Sequence, residues 1–143
     1  MFAYVHHVHY VVQDRDATVD FLEKTFGMKP VSVHHNKKDN ENEALYEVDK
    51  TQIQIVQPLD PSSTQGKFLA THGPGLFHVG WGGDNIQKLA QELTAKGCKT
   101  IHHEKPTPNF KVNTSSHGYL NFALDPTTTH GVFCHICGPR GSK

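Results

Sequence analysis

The sequence lacks an excess of charge of either sign. Fourteen lysine and arginine residues balance fourteen aspartate and glutamate residues in a chain of 143 residues, which also carries twelve histidines. Binding to nucleic acid or to an anionic membrane surface requires a basic patch, and a balanced composition gives no sign of one. We therefore expect neither nucleic acid nor a membrane among the partners of this protein.

Long apolar runs and a cysteine framework are also missing. No apolar run approaches the roughly 20 residues of a membrane-spanning helix, and the first residues lack the apolar segment of a signal peptide. The three cysteines (Cys98, Cys134 and Cys137) are too few, and odd in number, for a disulfide framework. This composition favours a reducing compartment and predicts a cytoplasmic protein.

The sequence does contain an internal repeat. The first half places His7 on its first predicted strand and Gln54 on its last. The second half places His78 and His135 at the corresponding positions, with nearly the same offsets to the glycine and proline that follow. Such self-similarity indicates two copies of one supersecondary unit. Matched polar side chains in both copies predict a single site built from the two copies.

Hydrophobic periodicity predicts the same order of elements in each half. Apolar residues at helical spacing predict helices over about 16–26 and 85–96. Alternating residues predict strands over about 4–12, 29–35, 44–48, 51–56, 76–82, 99–103, 118–124 and 131–137. We therefore expect one α+β domain over residues 1–138, made of two βαβββ modules. The modules cover about 4–57 and 76–138, with a linker at 58–75 and a tail at 139–143.

The ends and apolar faces of the two helices can also be predicted. Asp14 or Asp16 is expected to cap the first helix and Asp84 the second, with Gly27 and Gly97 after their last turns. The predicted buried residues are Val19, Phe21, Leu22 and Phe26 in the first helix, and Ile86, Leu89, Ala90 and Leu93 in the second. The polar run at 36–43 predicts an exposed hairpin loop.

Alternation along the strands separates an apolar face from a polar one. The apolar face suits packing against the helices. The polar face is predicted to carry His7, His9, Glu43, Glu47, Gln52, Gln54, His78, Asn121 and His135. This face is richer in imidazole, amide and carboxylate groups than contact with solvent requires, which predicts a functional site there.

Three segments of the chain resemble the vicinal oxygen chelate superfamily, which contains glyoxalases, extradiol dioxygenases and bleomycin-resistance proteins. They are HHVHYVVQDRDATVDFLEKTFG, PLDPSSTQGKFLATHGPGLFHVGW and DPTTTHGVFCHI. Within the superfamily, the chain is most similar to the methylmalonyl-CoA epimerases. The resemblance implies paired βαβββ modules whose curled mixed sheets enclose a divalent metal, with the helices outside, and it implies a homodimer. It implies His7, Gln54 and His78 as metal ligands, with His135 replacing the family's fourth ligand, a glutamate.

The resemblance implies proton transfer next to a carbonyl group. The metal, which could be Co, Mn, Ni, Zn or Fe, would polarise that carbonyl, and two glutamates would act as acid and base. Glu43 is the candidate for the first glutamate, and Glu47 is its alternative because both face the same side. The second glutamate is missing. His135 can replace it only if the lone pair of its ring does not bind the metal. The candidates for the substrate pocket are His9, Gln52 and Asn121.

Two departures leave the substrate and the reaction class open. The family's glycine-rich loop is here KVNTSSHG (111–118), and its lysine-containing turn is DPTTT (125–129), so a small acyl or keto compound need not be a CoA thioester. The sequence predicts a metal-dependent epimerase, isomerase or lyase. An Fe(II)-dependent oxygenase and a non-catalytic protein that binds or sequesters a small molecule are the alternatives.

Overall fold

The computed structural model describes residues 1–102, 105–106 and 112–140. These residues form two compact units. We call residues His7–Phe77 the N-terminal unit, and Met1–His6 together with the described residues from His78 onward the C-terminal unit. The predicted α+β class with repeated βαβββ elements is confirmed. The single domain over 1–138 stays a prediction.

The N-terminal unit contains the first copy of the repeat. Its elements are β1 (Tyr4–Val11, which begins in the other unit), α1 (Arg15–Phe26), β2 (Ser32–Asn36), β3 (Glu41–Val48), β4 (Thr51–Pro58) and α2 (Thr64–His72). The strand order is β2-β3-β4-β1. Because β1 and β4 run parallel while the other neighbours are antiparallel, the sheet is mixed.

The C-terminal unit contains the second copy. Its elements are β5 (Gly75–Gly82, which begins in the other unit), α3 (Ile86–Ala95), β6 (Thr100–His102), β7 (Lys105–Pro106), β8 (Asn113–Thr114), β9 (Leu120–Leu124) and β10 (Cys134–Cys137). The strand order is β5-β10-β9-β6-β7, with β8 also paired to β9. Strands β5 and β10 run parallel, as β1 and β4 do. Residues 103–104, 107–111 and 141–143, which the predicted second module and tail included, lie outside the described residues.

The helices that follow the first strand of each repeat, α1 and α3, both begin at an aspartate or asparagine whose side chain caps the helix. Asp14 accepts a hydrogen bond from the Ala17 amide at 2.9 Å, as predicted, and α1 ends at Gly27, whose φ of 66° is left-handed. Helix α3 is capped by Asn85 and not by Asp84, so that prediction was wrong by one residue. Asn85 is the residue whose side chain reaches the amide of Lys88 at 2.9 Å.

Helix α1 packs on its sheet through a narrower stripe than predicted. Val19 and Leu22 contact the core, but Phe21 and Phe26 are 53% and 63% exposed and pack against each other with ring centroids 5.5 Å apart. Phe21 is the neighbour of Leu22 and therefore points about 100° away from the core-facing stripe, while Phe26 lies in the last turn. The prediction that both phenylalanines are buried was wrong.

Helix α3 buries the residues that its periodicity predicts. These residues pack against the apolar side of β9 and β10, in a cluster of Ile86, Leu89, Ala90, Leu93, Phe122, Leu124 and Ile136. In the N-terminal unit the corresponding cluster contains Ala44, Tyr46 and Ile55. Within each unit, one face of the sheet is therefore covered by a helix, and the opposite face carries the polar residues. No helix in the described part of the chain is long and apolar enough to cross a membrane.

The hairpin between β2 and β3 is tighter than the sequence indicates. Residues 36–43 were expected to form an exposed loop, but the turn covers only 37–40, and β3 begins at Glu41. Asn36, Glu41 and Glu43 are buried. The expectation was wrong because the strands continue their pairing through the polar run, with Asn36 opposite Glu41 and His34 opposite Glu43.

Candidate active site

The polar face of the N-terminal unit buries most of the predicted site residues that lie in that unit. His7 is 1% exposed, and His9, Gln52 and Gln54 are also buried. The Gln54 Nε2 donates a hydrogen bond of 2.9 Å to the Gln52 Oε1, which leaves the Gln54 Oε1 as the atom that can bind a cation. The His9 ring packs edge-on against Phe77, with centroids 5.3 Å apart. The alternative base Glu47 is exposed.

The strand register relates His7 to Gln54. In the parallel pair of β1 and β4, Val8 lies opposite Ile53. His7 directly precedes Val8, and Gln54 directly follows Ile53. Because side chains alternate along a strand, His7 and Gln54 lie on the same face, in a diagonal relation across the two strands.

The C-terminal unit repeats this diagonal relation with different side chains. In the parallel pair of β5 and β10, Val79 lies opposite Cys134. His78 directly precedes Val79, and His135 directly follows Cys134. Their rings are edge-on, with centroids 5.1 Å apart, and His78 is buried while His135 is half-buried. His7 and Gln54 are thus equivalent in register to His78 and His135.

The neighbouring antiparallel strands extend the equivalence to a second pair. Glu43 on β3 lies opposite Val56, two residues after Gln54. Asn121 on β9 lies opposite Cys137, two residues after His135. Asn121 was predicted to line the substrate pocket. In the structure its Oδ1 lies 3.0 Å from the His135 Nε2, so it contacts a candidate ligand.

Glu43 is the most enclosed carboxylate among the predicted site residues. Its side chain is 2% exposed, and its Oε1 accepts a hydrogen bond of 2.6 Å from the Asn36 Nδ2. Its Oε2 lies 3.6 Å from the His34 Nε2. The Arg15 guanidinium donates hydrogen bonds to the backbone oxygens of Glu43, at 2.7 Å, and His34, at 3.2 Å. Arg15 therefore holds the two strands together at this position.

A second buried carboxyl group lies beside Glu43. Asp39, Glu41 and Glu43 each place a carboxylate oxygen within 4.8 Å of the others. Burial, and then the charges of Glu43 and Asp39, raise the pKa of Glu41 to about 8. At neutral pH, Glu41 is thus mostly protonated. Burying the group in its neutral form limits the repulsion that two adjacent carboxylates would otherwise create.

Sequence reasoning missed Arg15, His34, Asn36 and Glu41. A signal for Glu41 was present, since residues 41, 43, 45 and 47 share one strand face and the alternation extends into the polar run. No comparable signal exists for Arg15, whose contacts with β2 and β3 come from the tertiary fold.

Known proteins share this fold and sequence pattern. A family model for the glyoxalase/bleomycin resistance protein/dioxygenase superfamily matches residues 6–114. The uncharacterized protein YqjC of Bacillus subtilis (strain 168) is 21% identical over 123 residues, which is 86% of this chain and 83% of that protein.

Solved structures confirm the similarity of the fold. A methylmalonyl-CoA epimerase from Mycobacterium tuberculosis superimposes with a TM-score of 0.83 at 24% identity, covering 96% of this chain and 89% of that one. A methylmalonyl-CoA epimerase in complex with methylmalonyl-CoA and ammonium gives 0.85 at 22% identity, covering 100% and 99%. A hypothetical protein from Bacillus halodurans C-125 gives 0.83 at 19% identity, covering 98% and 96%. The predicted resemblance is confirmed: the chain belongs to the glyoxalase/bleomycin resistance protein/dioxygenase superfamily.

Proposed function

We propose that this protein is a divalent-metal-dependent enzyme that transfers a proton at a carbon next to a carbonyl group. The observation that carries the proposal is the register equivalence of two pairs of potential ligands. The proposed ligands are His7, Gln54, His78 and His135, and the proposed base is Glu43. The substrate is a small acyl or keto compound, and a CoA thioester is the first probe because one of the compared epimerase structures contains methylmalonyl-CoA.

The donor atoms fit a cation of the Mn to Zn series. Imidazole nitrogens with an amide oxygen suit Co, Mn, Ni, Zn or Fe, and each ligand candidate is buried or half-buried. The contact of Gln52 with Gln54 and that of Asn121 with His135 resemble the outer contacts that orient metal ligands. When bound, the cation would polarise the carbonyl oxygen of the substrate.

The surroundings of Glu43 favour it over Glu47 as the base. A buried carboxylate held by Asn36 has a defined position, whereas Glu47 is exposed to solvent. Glu43 would remove the proton next to the carbonyl and hold it on its carboxyl group, while Asn36 keeps the group in place. His9 and Gln52 remain the candidates for contacts with the rest of the substrate.

His135 serves better as a ligand than as an acid or base. Its Nε2 contacts the Asn121 Oδ1, and in the tautomer that donates this hydrogen bond only Nδ1 retains a lone pair. A ring that uses this lone pair to bind a metal has none left to accept a proton. The proposed enzyme therefore works with one carboxylate base, which favours an isomerase or lyase over a two-base epimerase.

We also propose an assembly and a location for the protein. The family resemblance supports a homodimer, which light scattering of the purified protein would test. The low and odd number of cysteines, three in the chain, supports a reducing compartment such as the cytoplasm.

Metal content tests the proposal directly. Protein purified without chelator should contain about one divalent ion per chain. The double variant His78→Ala/His135→Ala should lose it. A control double variant, His35→Ala/His72→Ala, removes two exposed histidines and should keep the metal. Absence of metal, even after incubation with each candidate ion, would contradict the proposal and favour a binding protein.

Proton exchange tests the chemistry. In D₂O, wild-type protein should exchange the proton next to the carbonyl in methylmalonyl-CoA or in one of a set of 2-keto acids, followed by proton NMR. Bound iron together with oxygen consumption, in the absence of such exchange, would instead identify an oxygenase.

A further inference from the structure

His34 is the direct cross-strand partner of the proposed base. In the antiparallel pair of β2 and β3, His34 lies opposite Glu43. The His34 Nε2 is 3.6 Å from the Glu43 Oε2, while the other ring nitrogen, Nδ1, is 3.0 Å from the Ser32 Oγ. The Arg15 guanidinium contacts the backbone oxygens of both His34 and Glu43, which fixes this pairing.

The geometry points to His34 as the residue through which Glu43 exchanges its proton with water. This inference rests on the proposed function, because it assigns a route for the proton that Glu43 removes. His34 acts through Glu43 and has no assigned contact with substrate, so it supports the base and is not itself the base.

The contrast in exposure supports this assignment. The Glu43 side chain is 2% exposed, whereas that of His34 is 37% exposed. A carboxyl group that is closed off from solvent returns the proton it has taken unless another group passes that proton on. His34 connects the buried carboxyl group with the surface, and imidazole is the side chain best suited to gain and lose a proton near neutral pH.

The transfer balances without any further reactant. In the tautomer that donates Nδ1–H to Ser32, the lone pair of Nε2 faces Glu43. The O–H bond of the protonated Glu43 breaks and an N–H bond forms at Nε2, giving a carboxylate and an imidazolium. The imidazolium then releases one ring proton to water. The distance of 3.6 Å must shorten by about half an ångström for this step, a change that is common when a substrate binds.

The first test measures the contact without requiring activity. The ring ¹⁵N signals of His34, assigned by their loss in His34→Asn, should shift in Glu43→Gln. They should not shift in Glu47→Gln, which changes an exposed carboxylate on the same strand. If Glu43→Gln leaves them unchanged, the two groups are not coupled and the inference is wrong.

The second test separates proton exchange from proton removal. Removal is measured by trapping the carbanion of the probe with hexacyanoferrate(III), and exchange by deuterium uptake from D₂O. In His34→Asn, the ratio of deuterium uptake to carbanion formation should fall at least about tenfold. Added imidazole should restore this ratio. The control is His35→Asn, a substitution at the neighbouring exposed histidine, which contacts Asn42 and should leave the ratio unchanged.

The outcomes distinguish the inference from the function on which it rests. A purely structural role for His34 would lower both rates together and leave their ratio unchanged, which would overturn the inference alone. If wild-type protein forms no carbanion from any probe, the proposed function fails and the inference fails with it.

Discussion

The two units carry different chemistry at equivalent positions. In the N-terminal unit, the diagonal pair is an imidazole and an amide, and the adjacent antiparallel strand supplies the carboxylate of Glu43. In the C-terminal unit, the pair is two imidazoles, and the adjacent strand supplies the amide of Asn121. The repeat thus preserves backbone register while the side chains diverge. Under the proposed function, both units would hold the cation, but only the N-terminal unit would move a proton.

The surroundings of the two adjacent-strand residues support this division. Glu43 contacts Asn36 and lies close to His34, which are groups that hold a carboxylate or exchange protons with it. Asn121 instead contacts His135, a candidate ligand. Each residue therefore has neighbours that fit its proposed role.

The largest effect, on proton exchange, is expected when the carboxylate of Glu43 in the N-terminal unit is replaced by an amide. Glu43→Gln keeps the size of the side chain but removes the base, so proton exchange on the reactive probe should fall by about 10²- to 10⁴-fold. Metal content should not change. Glu47→Gln is the matched control and should retain activity within about twofold, because its carboxylate is exposed. Equal losses in both variants would remove the distinction between these glutamates.

The next largest effect is expected on the pH dependence of stability. The residue equivalent to Glu41 in the C-terminal unit is Tyr119, which is also buried but has no carboxyl group. Because the pKa of Glu41 is raised from 4.5 to about 8, the folded state binds this proton more tightly than the unfolded state does. Glu41 therefore contributes least to stability at high pH, and its contribution falls as pH rises from about 4.5 to 8.

Glu41→Gln should remove this dependence. The free energy of unfolding of the variant, relative to wild type, should rise by a few kcal/mol between pH 5 and pH 8.5, measured by urea denaturation. Glu47→Gln should show no such trend. If the free energy of unfolding changes with pH in the same way in wild type and in Glu41→Gln, then Glu41 is not buried as a protonated group.

A smaller effect is expected at the equivalent position of the C-terminal unit. Asn121→Ala removes the group that contacts the His135 Nε2, so metal affinity should fall by about 10- to 100-fold. Asn121→Asp provides an acceptor oxygen at the same place and should keep most of the affinity. Competition with a chromophoric chelator measures both. An unchanged affinity in Asn121→Ala would show that this contact does not orient a ligand.

The sequence predicted the repeat of elements because each element has its own periodic signal. The longer strands, both main helices and the polar face were identified, and α3 buries the residues that its spacing indicates. The short strands β7 and β8 were not predicted. The run at 36–43 was misjudged, because local composition favours a solvated loop whereas the register of the hairpin buries Glu41 and Glu43. Register depends on the length of the turn, which the composition of the run does not define.

The candidate site residues were predictable where the repeat, the alternation along a strand or the family resemblance indicated a position. Glu43 was a candidate from the resemblance, but its rival Glu47 could not be set aside until burial was known. His34 and Asn36 reach Glu43 through the pairing of β2 with β3, and Arg15 reaches it from α1. These contacts depend on tertiary structure, for which strand alternation carries no signal.

The smallest effect is expected from a substitution in the hydrophobic core of the N-terminal unit. Tyr46 lies three residues after Glu43, and Leu124 lies three residues after Asn121, so these two residues are equivalent in register. Both are buried. The Tyr46 hydroxyl has no hydrogen-bond partner within the described residues, and burial raises its pKa. Tyr46→Phe should therefore stabilise the protein by about 1 kcal/mol, because a buried unpaired hydroxyl costs free energy that an apolar ring does not. The control is Tyr10→Phe, at an exposed tyrosine, which should change little in thermal denaturation. A loss of stability in Tyr46→Phe would show that the hydroxyl is hydrogen-bonded in solution, and the N-terminal core would then differ from its apolar counterpart by a polar contact.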